Sequence, residues 1–169
     1  MLRVVFALMT YHGWVPCSVD VRTVFFQGLS LDQFRPVSAR PPPQAYVPDG
    51  QLWELRKCAY GLTDAPRPWY EAVVSLLLSL GYVFCDVEHG IFFLSVGGLL
   101  LSVMATHVNG FLYGGTATEV NRFETAVCKS FQVGPVTVCT LTFTGLRVVT
   151  DANPSSGSLA IRVDKDHYC

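Results

Sequence analysis

The chain has 169 residues, of which 50% are hydrophobic and 15% charged, with a formal net charge of −1. That balance excludes a disordered chain and a strongly basic nucleic-acid binder or membrane-surface protein, and it suits one domain with a large core. Six scattered cysteines (17, 58, 85, 128, 139, 169) lack the short spacing of a zinc site and read as buried, reduced core thiols of an intracellular protein, the even count leaving a secreted disulfide framework as the other reading.

Leu2–Tyr11 places Leu2, Phe6 and Met9 along one side and stops at Gly13, which predicts a short core helix. No small-residue cleavage site follows it, so no signal peptide is expected. Trp14–Val21 leans to strand, with Asp20 near its end. A single Asp in such a setting serves as a cap more often than as a catalyst.

Leu29–Gly50 gathers Pro36, Pro41-Pro42-Pro43, Pro48 and Gly50 and reads as an exposed, rigid polyproline-like connector. Arg22, Arg35, Arg40, Arg56, Lys57 and Arg67 make the first seventy residues the basic part of the chain. Those charges either line a phosphate-bearing groove or form a solvated face. Gln51–Arg56 alternates as a half-buried strand does. Beyond it Asp64 is placed to cap a helix with Pro66 and Pro68 in its first turn, Trp69, Val73, Leu76, Leu77 and Leu80 on its apolar face, and Gly81 at its end.

Tyr82–Cys85 and Ile91–Val96 are the next expected strands. Between Gly90 and Thr118 no Asp, Glu, Lys or Arg occurs, a length sufficient for a membrane span. Gly97-Gly98, Asn109-Gly110 and His107 interrupt it, so two buried hairpins are the preferred reading, and no membrane partner is expected. Asn109-Gly110 is the strongest turn signal, with Leu99–Val108 and Phe111–Gly114 as its strands. Thr118 is placed to cap a helix whose core face is Val120, Phe123, Val127 and Phe131. Val136–Val149 then alternates, and Ser158–Val163 returns as its partner across Asn153-Pro154-Ser155-Ser156-Gly157. The sum is one α+β domain over residues 1–169.

Three segments carry a family resemblance. Ser18-Val19-Asp20-Val21-Arg22-Thr23-Val24-Phe25-Phe26-Gln27-Gly28 resembles the segment of copia-type reverse transcriptases that holds their first catalytic aspartate. Leu52-Trp53-Glu54-Leu55 followed by Ala59-Tyr60-Gly61-Leu62-Thr63-Asp64-Ala65-Pro66-Arg67-Pro68-Trp69-Tyr70 is similar to their Leu-Tyr-Gly-Leu-Lys-Gln-Ala-Pro-Arg-x-Trp-Tyr signature. Thr106-His107-Val108-Asn109-Gly110 stands where the family has Tyr- or His-Val-Asp-Asp, and Phe143-Thr144-Gly145-Leu146 resembles its later Phe-Leu-Gly segment.

The resemblance implies a right-hand polymerase palm with partial fingers around residues 29–61, an antiparallel sheet packed on helices and no complete thumb. It implies RNA- or DNA-templated DNA synthesis from deoxynucleoside triphosphates on a primer–template, with two Mg2+ ions held by converging carboxylates. Asp20 is the retained catalytic and metal ligand. On that resemblance Phe25 would be the aromatic wall against a ribose 2′-hydroxyl and Gly61 a second nucleotide contact, while Arg22, Arg56, Lys57 and Arg67 would be the nucleic-acid contacts. Thumb and ribonuclease H regions would follow in such a polyprotein, and nothing after Val163 is long enough to supply them.

The departures fall at the metal site. Asn109 replaces the first turn carboxylate and Gly110 the second, which removes two formal charges from a site built for dications. Val24 for Ala and Thr63-Asp64 for Lys-Gln are smaller changes. The sequence therefore describes a polymerase domain with impaired or lost nucleotidyl transfer, beside a non-catalytic nucleic-acid-binding remnant and, outside that family, a membrane-associated or secreted protein.

Overall fold

The computed structural model describes residues 2–31, 34, 36–153 and 158–165, so Arg35, the connector at 154–157 and Cys169 lie outside the described residues. The chain divides into two compact units, Met1–Arg22 with Leu76–Cys169, and Thr23–Ser75.

The first unit is built on a six-stranded antiparallel sheet. Its strands are β1 (Cys17–Asp20), β4 (Val83–Cys85), β5 (Glu88–Val96), β6 (Leu99–His107), β7 (Gly110–Gly115) and β8 (Thr137–Val138), in the spatial order β4-β5-β6-β7-β1-β8. A three-stranded antiparallel sheet joins β9 (Thr140–Phe143), β10 (Leu146–Asn153) and β11 (Ser158–Lys165), with β10 in the middle. Two helices belong to the unit, α1 (Leu2–His12) and α4 (Ala117–Ser130).

Alternation along the strands separates two cores. Leu112 joins Val5, Phe6 and Met9 of α1, Ile91, Val103 and Ala105 of the large sheet, and Leu141, Phe143 and Val148 of the small one. Phe111 and Tyr113 point the other way, where their rings meet Phe123 of α4 at centroid distances of 5.4 and 4.7 Å. Each such buried side chain is worth roughly 1.5–3 kcal/mol over its exposed state. Tyr82 Oη donates to Ser102 Oγ at 2.9 Å, and Ser102 Oγ donates to the Gly114 carbonyl at 3.0 Å, so these two buried hydroxyls are satisfied. Gly114 needs its missing side chain, because a methyl there would stand 3.1 Å from Met9 of α1.

The second unit holds α2 (Val24–Gln27), the hairpin of β2 (Val37–Ala39) and β3 (Trp53–Leu55), a short 3-10 turn at Pro43–Ala45 and the first turns of α3 (Pro66–Ser79). A small core forms from Leu31, Cys58 and Ala65 with Phe25, Val37, Leu55 and Leu62 against it. A methyl on Gly28 would fall 2.8 Å from the Trp69 amide nitrogen, so this backbone can approach α3 only as glycine.

The three long helices and the antiparallel strands agree with the sequence reading, with local corrections. The central turn is Val108–Asn109, one residue earlier than the Asn-Gly rule places it, and Gly110 is the first residue of β7. Gly110 is spent on a close approach instead of on a positive φ, and Val108 takes the left-handed conformation at φ 46°. Thr116, not Thr118, is the N-cap of α4. α3 starts at Pro66, where Asp64 contributes its carbonyl to the Arg67 amide at 3.2 Å. The 136–149 stretch is broken into three strands by a left-handed Cys139 (φ 68°) and a two-residue turn at Thr144–Gly145 (φ 52° and 74°). The 29–50 connector contains β2 and the 3-10 turn, and α2 has no counterpart in the sequence reading.

The five described cysteines take part in no disulfide. Cys17 and Cys58 are buried as expected, whereas Cys85 is partly buried and Cys128 and Cys139 are exposed. Cys128 follows the buried Val127 on α4 and so turns away from the core, and Cys139 sits at the kink between β8 and β9. Among the described residues no helix is long and apolar enough to cross a membrane.

Candidate functional site

Asp20 is the last residue of β1, and the register Cys17↔Tyr113, Ser18↔Leu112, Val19↔Phe111, Asp20↔Gly110 sets it directly beside the first residue of β7. Gly110 is also paired with His107 across the turn. Backbone bonds hold this corner from both sides. The Val21 amide donates to the Asn109 carbonyl at 2.8 Å, and the Gly134 amide donates to the Asp20 carbonyl at 2.7 Å. Asp20 thus meets Asn109 and Gly110, which are far from it in sequence, at one end of the large sheet.

The carboxylate of Asp20 is exposed and lies on the same face as Leu112 and Gly110. A methyl group on Gly110 would stand 3.1 Å from Asp20 Oδ1 and 3.2 Å from Phe143 Cε2. A side chain at 110 would therefore press on the Asp20 carboxylate and on the edge of a buried ring, and each would have to give by a few tenths of an ångström. Asp20 also borders a cavity of about 530 Å3, lined in addition by Ser18, Thr137, Thr140, Thr142 and Arg147. The sequence reading misses these cavity residues. The only available signal is the alternation in 140–143, which puts Thr140 and Thr142 out and Leu141 and Phe143 in.

On the α4 side of the same sheet, Tyr113 Oη donates to Glu124 Oε1 at 2.7 Å, and burial together with that carboxylate pushes the phenol ionisation up. Burial, then Glu124 and Cys139, pushes the Cys17 thiol up to about 11. Such a thiol stays protonated and inert near neutrality. Among the described residues no group of three or more His, Cys, Asp or Glu side chains is arranged to hold a metal ion.

The remaining expected contacts lie in the second unit, except Arg22, an exposed residue of the first unit whose amide donates to the Gln132 carbonyl at 2.9 Å. Phe25 on α2 is half-buried, and Tyr60 meets its ring edge-on at 4.8 Å. Gly61 has φ 92°, and a methyl group there would meet only open space, so glycine is needed for backbone conformation, not packing. Lys57 Nζ donates to the Gly28 carbonyl at 2.6 Å, and the Arg56 carbonyl accepts from the Leu31 amide at 2.9 Å. Arg67 Nε donates to Glu71 Oε1 at 2.9 Å while its guanidinium lies 5.5 Å from the Phe34 ring centroid. The structure thus joins Phe25, Tyr60 and Lys57 along two adjacent segments and engages Arg67 elsewhere in the unit.

An exposed carboxylate thus closes a strand beside a β-hairpin turn, on an antiparallel sheet with helices packed against it. The sequence pattern of the reverse transcriptase (RNA-dependent DNA polymerase) family matches residues 1–163, and the chain belongs to that family. Two curated relatives from Arabidopsis thaliana, the retrovirus-related Pol polyproteins from transposons RE2 and RE1, are each 30% identical to it, over 119 and 116 residues. The matches cover 69% and 68% of this chain and 8% of each relative, so the chain spans a small part of their length. The copia-type likeness read from the Asp20, Gly61 and His107 segments is to this same family.

Proposed function

We propose that the chain is a copia-type reverse-transcriptase domain, with the first unit as palm and the second as fingers, in which nucleotidyl transfer is impaired. Template–primer and deoxynucleoside triphosphates are the ligands for which this frame is built, and its setting is intracellular. Magnesium serves the family, and a pair of such ions needs several converging anionic oxygens. The donor set at this corner does not fit that need. Asp20 supplies one carboxylate, Asn109 a neutral amide and Gly110 no side chain, so this corner falls short of a two-metal site.

The observation that carries the reading is the Asp20↔Gly110 pairing: the position facing the retained carboxylate has no acid to offer. Loss of those acids is mild for the fold, because neighbouring carboxylates repel when no cation is present. Primer extension on an RNA and a DNA template tests the reading. The unmodified chain is expected to give no extension above background, and the Asn109→Asp, Gly110→Asp variant to regain magnesium-dependent synthesis. Robust synthesis by the unmodified chain refutes it.

A further inference from the structure

The small sheet ends on β11, an eight-residue strand whose inner edge pairs with β10 from Leu146↔Lys165 to Asn153↔Ser158 without a shift of register. Among the described residues no strand pairs with its outer edge. Such an edge offers a row of backbone donors and acceptors to any chain that lies along it. The other outer strands are poorer templates. β4 has three residues and a register shift at Phe84/Cys85, β8 has two residues, β9 four, and β2 and β3 three each. β11 contains neither proline nor glycine, and no bulge turns it aside.

Its residues favour one occupant. Pairing with β10 puts Val163 on the side of the fully buried Val148, where Ile161 also packs against the core, yet Val163 is 39% exposed at the margin. Asp164 lies on the opposite side with Arg147 facing it, and Arg162 lies there too. Both are exposed, and Arg162 reaches Asp151 only at 3.4 Å.

Two antiparallel copies of a strand set residues of the same side opposite each other, so a twofold pairing centres on one residue that faces its own copy. Centred on Val163, the two valines meet where the cores end, and Arg162 of each copy stands opposite Asp164 of the other. Facing opposite charges stabilise an antiparallel pair, and facing like charges weaken it. Centring on Arg162 would set the two guanidiniums face to face. Centring on Ile161 would place Arg162 opposite Ala160 and Asp164 opposite Ser158, with no charge matched.

We infer that β11 is a dimerisation edge, on which a second copy of this chain lays its own β11 antiparallel about Val163, joining two three-stranded sheets into one. None of its residues belongs to the Asp20 corner, and the inference stands whether or not the chain transfers nucleotides.

Sedimentation equilibrium of the full chain tests it. The unmodified chain is expected to pass from monomer to dimer as its concentration rises through the micromolar range. Arg162→Asp and Asp164→Arg are each expected to weaken association about tenfold, because two facing pairs change from attraction to repulsion. Mixed in equal amounts, the two variants should associate as tightly as the unmodified chain, since every facing pair then has opposite signs. Each variant carries the same change within its own chain alone and in the mixture, so recovery on mixing reports the contact between copies. A chain that stays monomeric throughout overturns the inference, as do unchanged association in either variant and no recovery in the mixture.

Discussion

Asp20 and Gly110 face each other across β1 and β7, and the space between them is closed by the edge of Phe143, so that a methyl on Gly110 would lie 3.1 Å from the carboxylate and 3.2 Å from the ring. The exposed carboxylate can rotate away, whereas the ring is buried among Leu141, Val148 and the side chains of α1. Gly110→Ala is therefore expected to cost about 1 kcal/mol, and less in a Phe143→Leu background. Urea denaturation of the four proteins of this cycle measures the coupling, and an identical cost in both backgrounds would contradict the packing account.

Val108 is a β-branched residue held at φ 46°, where side chains of its kind crowd the backbone. Asn tolerates that region through its short polar side chain. Val108→Asn should stabilise the chain by about 1 kcal/mol, visible as a raised thermal midpoint. An unchanged or lowered midpoint would show that other contacts of Val108 outweigh its backbone cost.

The Cys17 thiol ionises near 11 in the folded chain, chiefly because burial disfavours the thiolate, against an ordinary value of 9.0. Between those values the unfolded chain has released this proton and the folded chain has kept it, so stability falls as pH rises. The contribution is fully present below pH 9 and lost by about pH 11. Chemical denaturation across that window should show a steeper decline for the unmodified protein than for Cys17→Ala, and parallel declines would rule the effect out. At milder pH, alkylation read by peptide mass spectrometry should label the exposed Cys128 and Cys139 well before the buried Cys17 and Cys58.

A ligand that binds only the folded state raises its melting point in proportion to occupancy. Millimolar magnesium is expected to leave the midpoint of the unmodified chain where it is. The Asn109→Asp, Gly110→Asp variant starts lower, because its acids repel and its side chain at 110 presses on Phe143, and should recover the part due to repulsion on adding magnesium. Differential scanning calorimetry distinguishes the two, and a magnesium-dependent shift in the unmodified chain would restore a metal site to it.

The parts of this fold that are legible in the sequence are those governed by local periodicity. Phe123 and Val127 repeat at the spacing of a helix face, as do Trp69, Val73 and Leu77, and both sets are buried. The Asn-Gly rule misplaces the hairpin turn by one residue because it weighs φ alone, and Gly110 answers to the Phe143 ring, a neighbour no local window contains. For the same reason the 136–149 stretch reads as continuous although Cys139 and Thr144 break it. Asp20 draws attention only through family likeness; nothing in its own surroundings announces that Gly110 is its partner.

The bond from Lys57 to Gly28 has a kinetic corollary. A loop already cross-braced at Gly28, Ser30 and Leu31 has little conformational freedom left to surrender, so a ligand that settled on it would meet a small ordering penalty and would differ among variants in how long it stays.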